Sequence, residues 1–287
     1  MATTTESARS HQGPGHPAGP SRDERLAAAH QTLQNGLAEL TTSDAWQRML
    51  TIAARFHTYS PSNVLLILAQ RPTATRVAGL RTWNSLGRRV NKGEHGIRVI
   101  VPILRRDDDT DDNERRVVGF SVGVTFDVSQ TSGDPIDPIE PQLLTGAAPD
   151  GIADKVTNLI ETEGFTVVYG DCRPANGLTS WITNTVTIRD DLEPLAQLKT
   201  LLHEAGHVIA HRPQDDADEG FTCREVKEIE AESIAFIVAA TLGIDTSTYS
   251  FPYVAHWMAG VGELAAVQAT AERVITHARH ILDHLAT

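Results

Sequence analysis

Near the start of the chain, apolar residues recur at the spacing of α-helices. The segment Ser21-Arg-Asp-Glu24 has the sequence of a capping box, in which two side chains satisfy free backbone N–H groups at a helix start. It predicts a helix from Ser21 towards Leu40. A second helix is predicted after Ser43, because apolar residues follow at helical spacing at Trp46, Met49, Leu50, Ala53 and Phe56.

The pattern then becomes less regular and changes period. We expect Pro61 to interrupt the second helix, a short apolar turn over Asn63–Gln70, and a short helix over Arg81–Leu86 that stops at a glycine. Beyond these, residues 97–104 and 116–128 have the composition of two strands. The first half is therefore predicted to combine helices with a β-hairpin.

Three polar segments set the predicted boundaries. Residues 1–20 are rich in Ser, Thr, Gly and Pro and are expected to form a disordered tail. The acidic run Asp107–Glu114 is interpreted as the solvated tip of the hairpin. Prolines and glycines among acidic residues mark 132–150 as a linker. Two domains follow, at 21–131 and 151–287.

The second half is predicted to be mainly helical with a small sheet. Helices are expected over 152–163, 192–211 and 225–242, with strands at 166–169 and 180–189, and further helical stretches close the chain. Because both halves mix helices with a few strands, the predicted fold class is α+β.

Composition excludes several classes of protein. The 287 residues are 40% hydrophobic, and no apolar stretch reaches the 18 residues or so of a membrane-spanning helix, so no membrane partner is expected. The first 20 residues lack the apolar core of a secretory signal. Two cysteines do not make a disulfide framework, which favours a reducing compartment. We expect a cytoplasmic protein.

Charge is divided unevenly along the chain. The formal net charge is −12, but residues 40–106 hold 11 basic and 2 acidic residues, while residues 127–287 hold 9 basic and 25 acidic ones. A basic block is typical of polyanion binding, with a solvated basic surface as the alternative. The acidic half would repel nucleic acid.

The most specific motif is His203-Glu-Ala-Gly-His207, an HExxH sequence inside the predicted long helix. Residues four apart lie on one helical face, so both imidazoles can reach a single metal ion. Glu204 lies one step round the helix, where it can take a proton from water without binding the metal. Gly206 costs the helix about 1 kcal/mol relative to alanine, which points to close packing or to access near the metal.

A catalytic zinc site usually has a third protein ligand. Glu225, Glu228 and Glu232 share one face of the next predicted helix, and Glu230 lies away from them. Cys223 is a softer alternative. The residues alone leave this choice open.

The motif His203–His207 followed by Glu230-Ala-Glu-Ser-Ile-Ala-Phe236 resembles the ImmA/IrrE-type zincin metallopeptidases, in which a glutamate precedes a phenylalanine by four residues. The resemblance implies Zn²⁺, with Mn²⁺ as the alternative, bound by His203, His207 and Glu232. It implies that Glu228, one turn earlier, supports the ligands without binding the metal. It also implies a protein substrate lying along the strand Trp181–Arg189.

A second set of residues runs through the first half: Trp46, Phe56-His-Thr-Tyr-Ser60, Asn63, Gln70, Gly79, Thr82-Trp83, Leu86-Gly-Arg88, Val90, Lys92-Gly-Glu94, Pro102 and Phe126-Asp-Val-Ser-Gln-Thr131. This set resembles the N-terminal domain of ArdC antirestriction proteins. The resemblance implies that this domain binds single-stranded DNA and that the whole protein acts in antirestriction. Duplex DNA is the alternative partner.

Aromatic and basic residues supply further candidates for DNA binding and for catalysis. Single strands are held by bases stacked on aromatic rings beside basic side chains. We interpret Trp46 and Phe56 as core residues of a helix. Tyr253 is a candidate for stabilising a transition state over the metal, or packs beside a tryptophan. The DNA-binding candidates are Arg55, Tyr59, Asn63, Trp83, Arg88, Arg89 and Lys92.

Two functions are consistent with this sequence. The first is a zinc metallopeptidase with a DNA-binding domain, in which Glu204 is the general base and the target is a DNA-bound regulator or a restriction enzyme. The second is a non-proteolytic antirestriction protein that shields DNA and has a structural or vestigial metal site. Replacing Glu204 separates them, because shielding needs no general base.

Overall fold

The first two helices form where the sequence predicts them. The computed structural model describes residues 19–40, 42–106, 115–136, 148–212, 224–244, 246 and 264–287. Helix α1 is Arg22–Ala38, and its capping box is present: the Ser21 Oγ accepts from the Glu24 N–H at 3.2 Å, and Glu24 Oε2 accepts from the Ser21 N–H at 2.6 Å. Helix α2 is Ser43–Arg55, with a hydrogen bond from the Ala45 N–H to the Thr42 Oγ1 at its start. The predicted tail up to residue 18 and the acidic run at 107–114 lie outside the described residues.

The predicted turn over Asn63–Gln70 is wrong, because this segment is a helix. Helix α3 is Pro61–Gln70, with the proline in its first turn, where no N–H is needed. The consecutive residues Val64–Leu68 are all buried. A helix that is covered on every side shows no amphipathic period, so the pattern did not reveal it.

The β-structure of the first half surrounds a long hairpin. Strand β3 (Ile97–Arg106) pairs antiparallel with β4 (Arg115–Asp127), and β1 (Val77–Ala78) pairs with the other edge of β4. Helix α4 (Leu80–Ser85) leads into β2 (Arg88–Val90), which pairs antiparallel with β5 (Thr131–Gly133) in a separate two-stranded sheet. The predicted hairpin is confirmed.

Two amide side chains of α3 bind the outer edge of β3. Asn63 donates to the Ile100 carbonyl at 2.8 Å and accepts from the Ile100 N–H at 2.7 Å. Gln70 makes the same pair of bonds with the backbone of Arg98, each at 2.9 Å. These amides take the place of a neighbouring strand at Arg98 and Ile100, so the backbone N–H and carbonyl groups of these two edge residues are paired.

The second half begins with helix α5 (Ile152–Thr162) and a three-stranded sheet. Strand β8 (Thr185–Ile188) is central, parallel to β6 (Thr166–Tyr169) and antiparallel to β7 (Gly177–Ser180). The single strand predicted at 180–189 is wrong: Ser180 ends β7, residues 181–184 form a turn, and β8 follows. The edge strand expected at Trp181–Arg189 is also wrong, because β8 is central and β7 is at the edge. Asn184, with φ of 47°, is in the left-handed conformation that asparagine tolerates.

Three helices complete the second domain: α6 (Pro194–Ala210), α7 (Arg224–Thr241) and α8 (Leu264–Leu285). The molecule is a two-domain α+β protein, as predicted. Among the residues the structure describes, no helix is long and apolar enough to cross a membrane.

The two domains share a hydrophobic core. One continuous cluster of buried residues includes side chains of α1, α2 and α3 together with those of α6, α7 and α8. Helices α2 and α7 are also joined by hydrogen bonds: Trp46 Nε1 donates to Ser233 Oγ at 2.9 Å, and Thr241 Oγ1 donates to the Ala54 carbonyl at 3.1 Å. The N-terminal domain thus supports one side of α7.

Asp127 organises the end of β4. Its carboxylate is 1% exposed and accepts hydrogen bonds from the N–H groups of Thr75 and Arg76 and from both the N–H and the hydroxyl of Ser129. Burial alone would raise the pKa of Asp127, but these hydrogen bonds outweigh it and hold the pKa below its usual value.

We predict that Asp127→Asn lowers the free energy of unfolding by about 2 kcal/mol at pH 7, because an amide nitrogen replaces an acceptor facing buried donors. The carboxylate stabilises the fold above its unfolded-state pKa of about 3.9, and this contribution is lost as the pH falls through the lower folded-state pKa. The difference between variant and wild type should therefore shrink below about pH 4. Urea unfolding at pH 7 and pH 3 measures this, with Asp150→Asn, at an exposed site, as control. Equal stabilities at pH 7 would contradict the prediction.

Candidate metal centre

Helix α6 presents both histidines of the HExxH motif on the side that faces α7. His203 and His207 are one turn apart, and their Nε2 atoms are separated by 3.1 Å. Their side chains are 22% and 16% exposed, so the rings are largely buried but still reach a cleft. Both imidazoles point to one position, as the motif predicts.

Gly206 brings the two helices together. A Cβ atom at this position would lie 3.0 Å from the Cα and 3.1 Å from the carbonyl oxygen of Ala231 in α7. Glycine therefore allows a backbone-to-backbone approach that alanine would crowd. The predicted packing role of Gly206 is confirmed, and the residues beside Ala231 are brought within reach of the histidines.

Glu228 completes a group of three metal-ligating side chains. Its Oε2 lies 3.4 Å from the Nε2 of His203 and 3.6 Å from the Nε2 of His207. One ligand atom from each of these residues lies within 4.8 Å of the others. Two imidazole nitrogens and one carboxylate oxygen are a donor set that suits zinc and other first-row divalent ions, so the residues present fit a metal.

Glu232 contacts the other ring nitrogen of His203. Its Oε2 is 2.9 Å from the Nδ1 of His203, on the side of the ring away from the shared position. A carboxylate that accepts the second N–H of a metal-binding histidine orients that ring. In this structure Glu228 is therefore the carboxylate that lies with the ligand nitrogens, whereas Glu232 contacts Nδ1 of His203. The assignment of Glu232 as the third ligand, which the family resemblance implies, stays a prediction.

The general-base candidate is held in the same cleft. Glu204 is 5% exposed, and its Oε2 accepts a hydrogen bond from Thr179 Oγ1 of β7 at 2.6 Å. A Cβ atom on Gly177 would lie 2.6 Å from Glu204 Oε1, so glycine at this position leaves room for the carboxylate. The cleft has a volume of about 650 Å³ and is lined by α6, α7 and the strand β7.

A third histidine was missed by the sequence analysis. His211 follows His207 by one turn, and its Nδ1 lies 3.0 Å from the Nδ1 of His207. Its Nε2 lies 3.0 Å from an oxygen of Glu230, which also binds the guanidinium of Arg273 in α8. Glu230 lies away from the other glutamates, as predicted. The signal that could have found His211 is its spacing of four residues after His207.

The electrostatics of the centre follow from these contacts. Burial alone would lower the pKa of His203, but hydrogen bonds with Glu228 and Glu232 raise it to about 10. Hydrogen bonds with His203 and His207 hold the pKa of Glu228 far below its usual value. Burial lowers the pKa of His211. The pKa of Glu230 is also lowered, because its bonds to His211 and Arg273 outweigh the cost of burial. Positive charge on His203 is therefore favoured between Glu228 and Glu232.

Several of the DNA-binding candidates have structural partners. Trp83 is fully buried and donates from Nε1 to the Phe126 carbonyl at 2.9 Å, so it presents no face for a base to stack on. The guanidinium of Arg88 binds Thr131 and the carbonyls of Gly133 and Asp134. Asn63 binds the backbone of β3, as described above. These three are structural in this conformation.

The remaining candidates are more accessible. Tyr59 is partly buried, and its hydroxyl donates to the Val77 carbonyl at 3.1 Å. Arg55 is exposed and donates to the Ala74 carbonyl at 3.3 Å. Arg89 and Lys92 are exposed.

The assignment of Trp46 and Phe56 to the core is confirmed, since they are 0% and 4% exposed. Tyr253, Cys223 and the side chain of Glu225 lie outside the described residues.

Comparison with known families supports this two-part organisation. Residues 25–128 match the model described as the N-terminal domain of anti-restriction factor ArdC, and residues 160–250 match the IrrE N-terminal-like domain. An uncharacterized Bacillus anthracis protein, pXO2-81, is 24% identical in an alignment of 246 residues, with 71% of this chain and 41% of that protein covered. The chain thus spans about two-fifths of the length of this curated relative.

Two crystal structures of the antirestriction ArdC protein from the R388 plasmid have a similar fold. The metal-free form has a TM-score of 0.54 at 21% identity and covers 79% of this chain and 85% of its own. The Mn(II)-bound form has a TM-score of 0.53 at 19% identity and covers 80% of this chain and 86% of its own. At these identities the likeness establishes the fold.

Metal binding can test which of the two glutamates is the third ligand. We predict that Glu228→Gln weakens Mn²⁺ and Zn²⁺ affinity by more than about 100-fold, because an anionic ligand is lost. Glu232→Gln should weaken it by only about tenfold, because the amide oxygen still accepts from His203. Isothermal titration calorimetry measures both constants, and Glu161→Gln on the exposed side of α5 controls for the change in net charge. A larger loss for Glu232→Gln would restore the assignment made from the sequence.

Proposed function

We propose that this chain, in which an ArdC N-terminal domain is joined to an IrrE N-terminal-like domain, is a metal-dependent endopeptidase that acts in antirestriction on proteins associated with DNA. The observation that carries the proposal is that Glu204, the two imidazoles and the strand β7 line one cleft. A general base, a metal-binding group and a surface for an extended peptide are the parts that peptide hydrolysis requires.

The metal would be held by His203, His207 and Glu228, with Glu232 orienting His203. Zn²⁺ and Mn²⁺ both suit these donors, and a similar fold has been crystallised with Mn(II). When bound, such an ion supplies Lewis-acid chemistry, polarising a carbonyl and acidifying water.

Glu204 performs the proton transfers in this proposal. Thr179 fixes one carboxylate oxygen, and burial keeps the group away from bulk solvent. Glu204 takes a proton from the attacking water and passes it to the leaving amine, so that one residue serves as base and then as acid.

Strand β7 is the proposed binding site for the substrate backbone. It is at the edge of its sheet and lines the cleft beside Glu204. An extended peptide can add to such an edge through backbone hydrogen bonds. Leu178 is 54% exposed on this strand and offers an apolar contact to a substrate side chain. An unfolded or flexible segment of a target protein fits this geometry.

The N-terminal domain is proposed to bring the enzyme to DNA, single-stranded DNA in particular. Exposed Arg89 and Lys92 are the candidates that fit contacts to phosphates. The acidic character of residues 127–287 opposes DNA contact near the metal centre and leaves it for protein.

We predict that Glu204→Gln abolishes peptidase activity while metal and DNA binding remain, because the amide cannot accept the proton. In cells that carry a restriction enzyme, the variant should no longer protect incoming unmodified DNA. Transformation efficiency measures protection, and immunoblots of the restriction subunits measure cleavage. His203→Ala, which removes a metal ligand, should lose protection as well.

The same experiment separates the alternative function. If the protein shields DNA without proteolysis, Glu204→Gln will protect as well as wild type and the restriction subunits will stay intact. That outcome would contradict the peptidase proposal while leaving an antirestriction role in place.

We also predict that the double variant Arg89→Ala/Lys92→Ala weakens binding to fluorescein-labelled oligo-dT, because two phosphate contacts are lost. The slope of log K against log[salt] should flatten by about 1.4, at about 0.7 per phosphate on a single strand. Fluorescence anisotropy at several salt concentrations measures both quantities. Arg212→Ala/Arg279→Ala, in the other domain, is the control. An unchanged slope would place the DNA surface elsewhere.

A further inference from the structure

A chain of polar side chains runs from the metal centre into the protein interior. His207 contacts His211 through their Nδ1 atoms at 3.0 Å, and His211 contacts Glu230 through its Nε2 at 3.0 Å. The side chains of His211 and Glu230 are only 5% and 1% exposed. Arg273 closes the chain from α8, with its Nε 3.0 Å from Glu230 Oε1. Three helices thus contribute to one line of contacts, which is buried at His211 and Glu230 and reaches solvent at Arg273, 44% exposed.

The direction of each hydrogen bond in this line follows from the Glu230 carboxylate, which can only accept. An ionised carboxylate can only accept, so the Nε2 of His211 carries a hydrogen and donates it to Glu230. A neutral imidazole then has an acceptor at Nδ1, so the N–H between the two rings belongs to His207. This leaves the Nε2 of His207 with a lone pair that points to the position shared with His203 and Glu228.

We propose that His211 and Glu230 are positioning residues that fix the tautomer and the orientation of the His207 ring, so that its Nε2 is ready to bind the metal. The inference rests on the metal centre proposed above. It gives His207 the support that Glu232 gives to His203: one ring is oriented directly by a carboxylate, and the other through an intervening imidazole.

The burial of these groups is otherwise unfavourable. Removing a carboxylate and a histidine from water carries a large desolvation cost, and apolar side chains of similar volume commonly stabilise a core as well or better. The cost is explained if the Nδ1 of His211 is needed to accept the hydrogen bond from His207. Residues that orient metal-binding histidines typically alter metal affinity by about 10–100-fold when they are replaced.

The first test is metal affinity. His211→Leu should raise the dissociation constants for Mn²⁺ and Zn²⁺ by about 10–100-fold, and it should change the visible absorption spectrum of the Co²⁺-loaded protein. His211→Gln, which keeps one donor and one acceptor, should recover a large part of the affinity. Isothermal titration calorimetry and absorption spectroscopy on the full chain measure these effects.

Gln130→Leu is the matched control. Gln130 is also 1% exposed and hydrogen-bonded to several groups, but it lies in the N-terminal domain and touches no ring of the centre. It should lower the melting temperature and leave metal affinity unchanged. If His211→Leu binds metal as tightly as wild type, the positioning role is overturned while the metal centre stands. If wild type itself binds no metal, both proposals fall.

A second measurement needs no substitution. Long-range ¹H–¹⁵N correlation spectra of the metal-free wild-type protein report which ring nitrogen of each histidine is protonated. We expect His211 with its hydrogen on Nε2 and His207 with its hydrogen on Nδ1. The opposite tautomer at His211 would overturn the proposal even if every variant failed to fold.

Discussion

The close contact between α6 and α7 at Gly206 is the constraint on which the candidate site depends. No side chain separates Gly206 from the backbone of Ala231. The two helices therefore approach closely enough for the glutamates of α7 to reach the histidines of α6. Glu228 then reaches the Nε2 atoms of both histidines, and Glu232 reaches the Nδ1 of His203. A wider spacing would leave the HExxH motif on a helix surface without a third ligand. The glycine weakens the helix by about 1 kcal/mol relative to alanine, but it allows the close helix contact on which the site depends.

The side chains that orient the two imidazoles differ in how deeply they are buried. His203 is oriented by Glu232 near the cleft, whereas His207 is oriented through His211 by a carboxylate that is almost fully buried. The buried arrangement requires α8, because Arg273 is what balances the charge of Glu230 there. Helix α8 therefore contributes to the centre without lining it. Glu204 is held from a third direction by Thr179 of β7, so the general base and the metal-binding side chains are positioned independently.

The sequence allowed the HExxH helix, the packing role of Gly206 and the two-domain α+β organisation to be predicted, because each rests on local spacing or on a resemblance to a family. The residues alone did not distinguish Glu228 from Glu232 as the third ligand, and the family resemblance favoured Glu232. Both lie on one helical face, and which one meets the Nε2 atoms depends on how α7 is placed against α6. His211 was missed because its partner Glu230 is in another helix. The sequence predicts Trp83 and Arg88 as DNA-binding residues, because a local pattern does not show whether a side chain is exposed. In the fold, the side-chain N–H groups of both residues donate to backbone carbonyls.

Helix α7 links the two proposed activities physically. One side carries Glu228 and Glu232, and another packs against α2 of the N-terminal domain through the Trp46–Ser233 and Thr241–Ala54 hydrogen bonds. The domain proposed to bind DNA is thus part of the scaffold that holds the metal-centre helix in place. Producing either domain without the other would expose the shared core to water and disturb the metal centre together with the DNA-binding domain. The two activities can therefore be separated only by single side-chain changes in the intact chain, such as those at Glu204 and at Arg89 and Lys92, which leave the α2–α7 interface untouched.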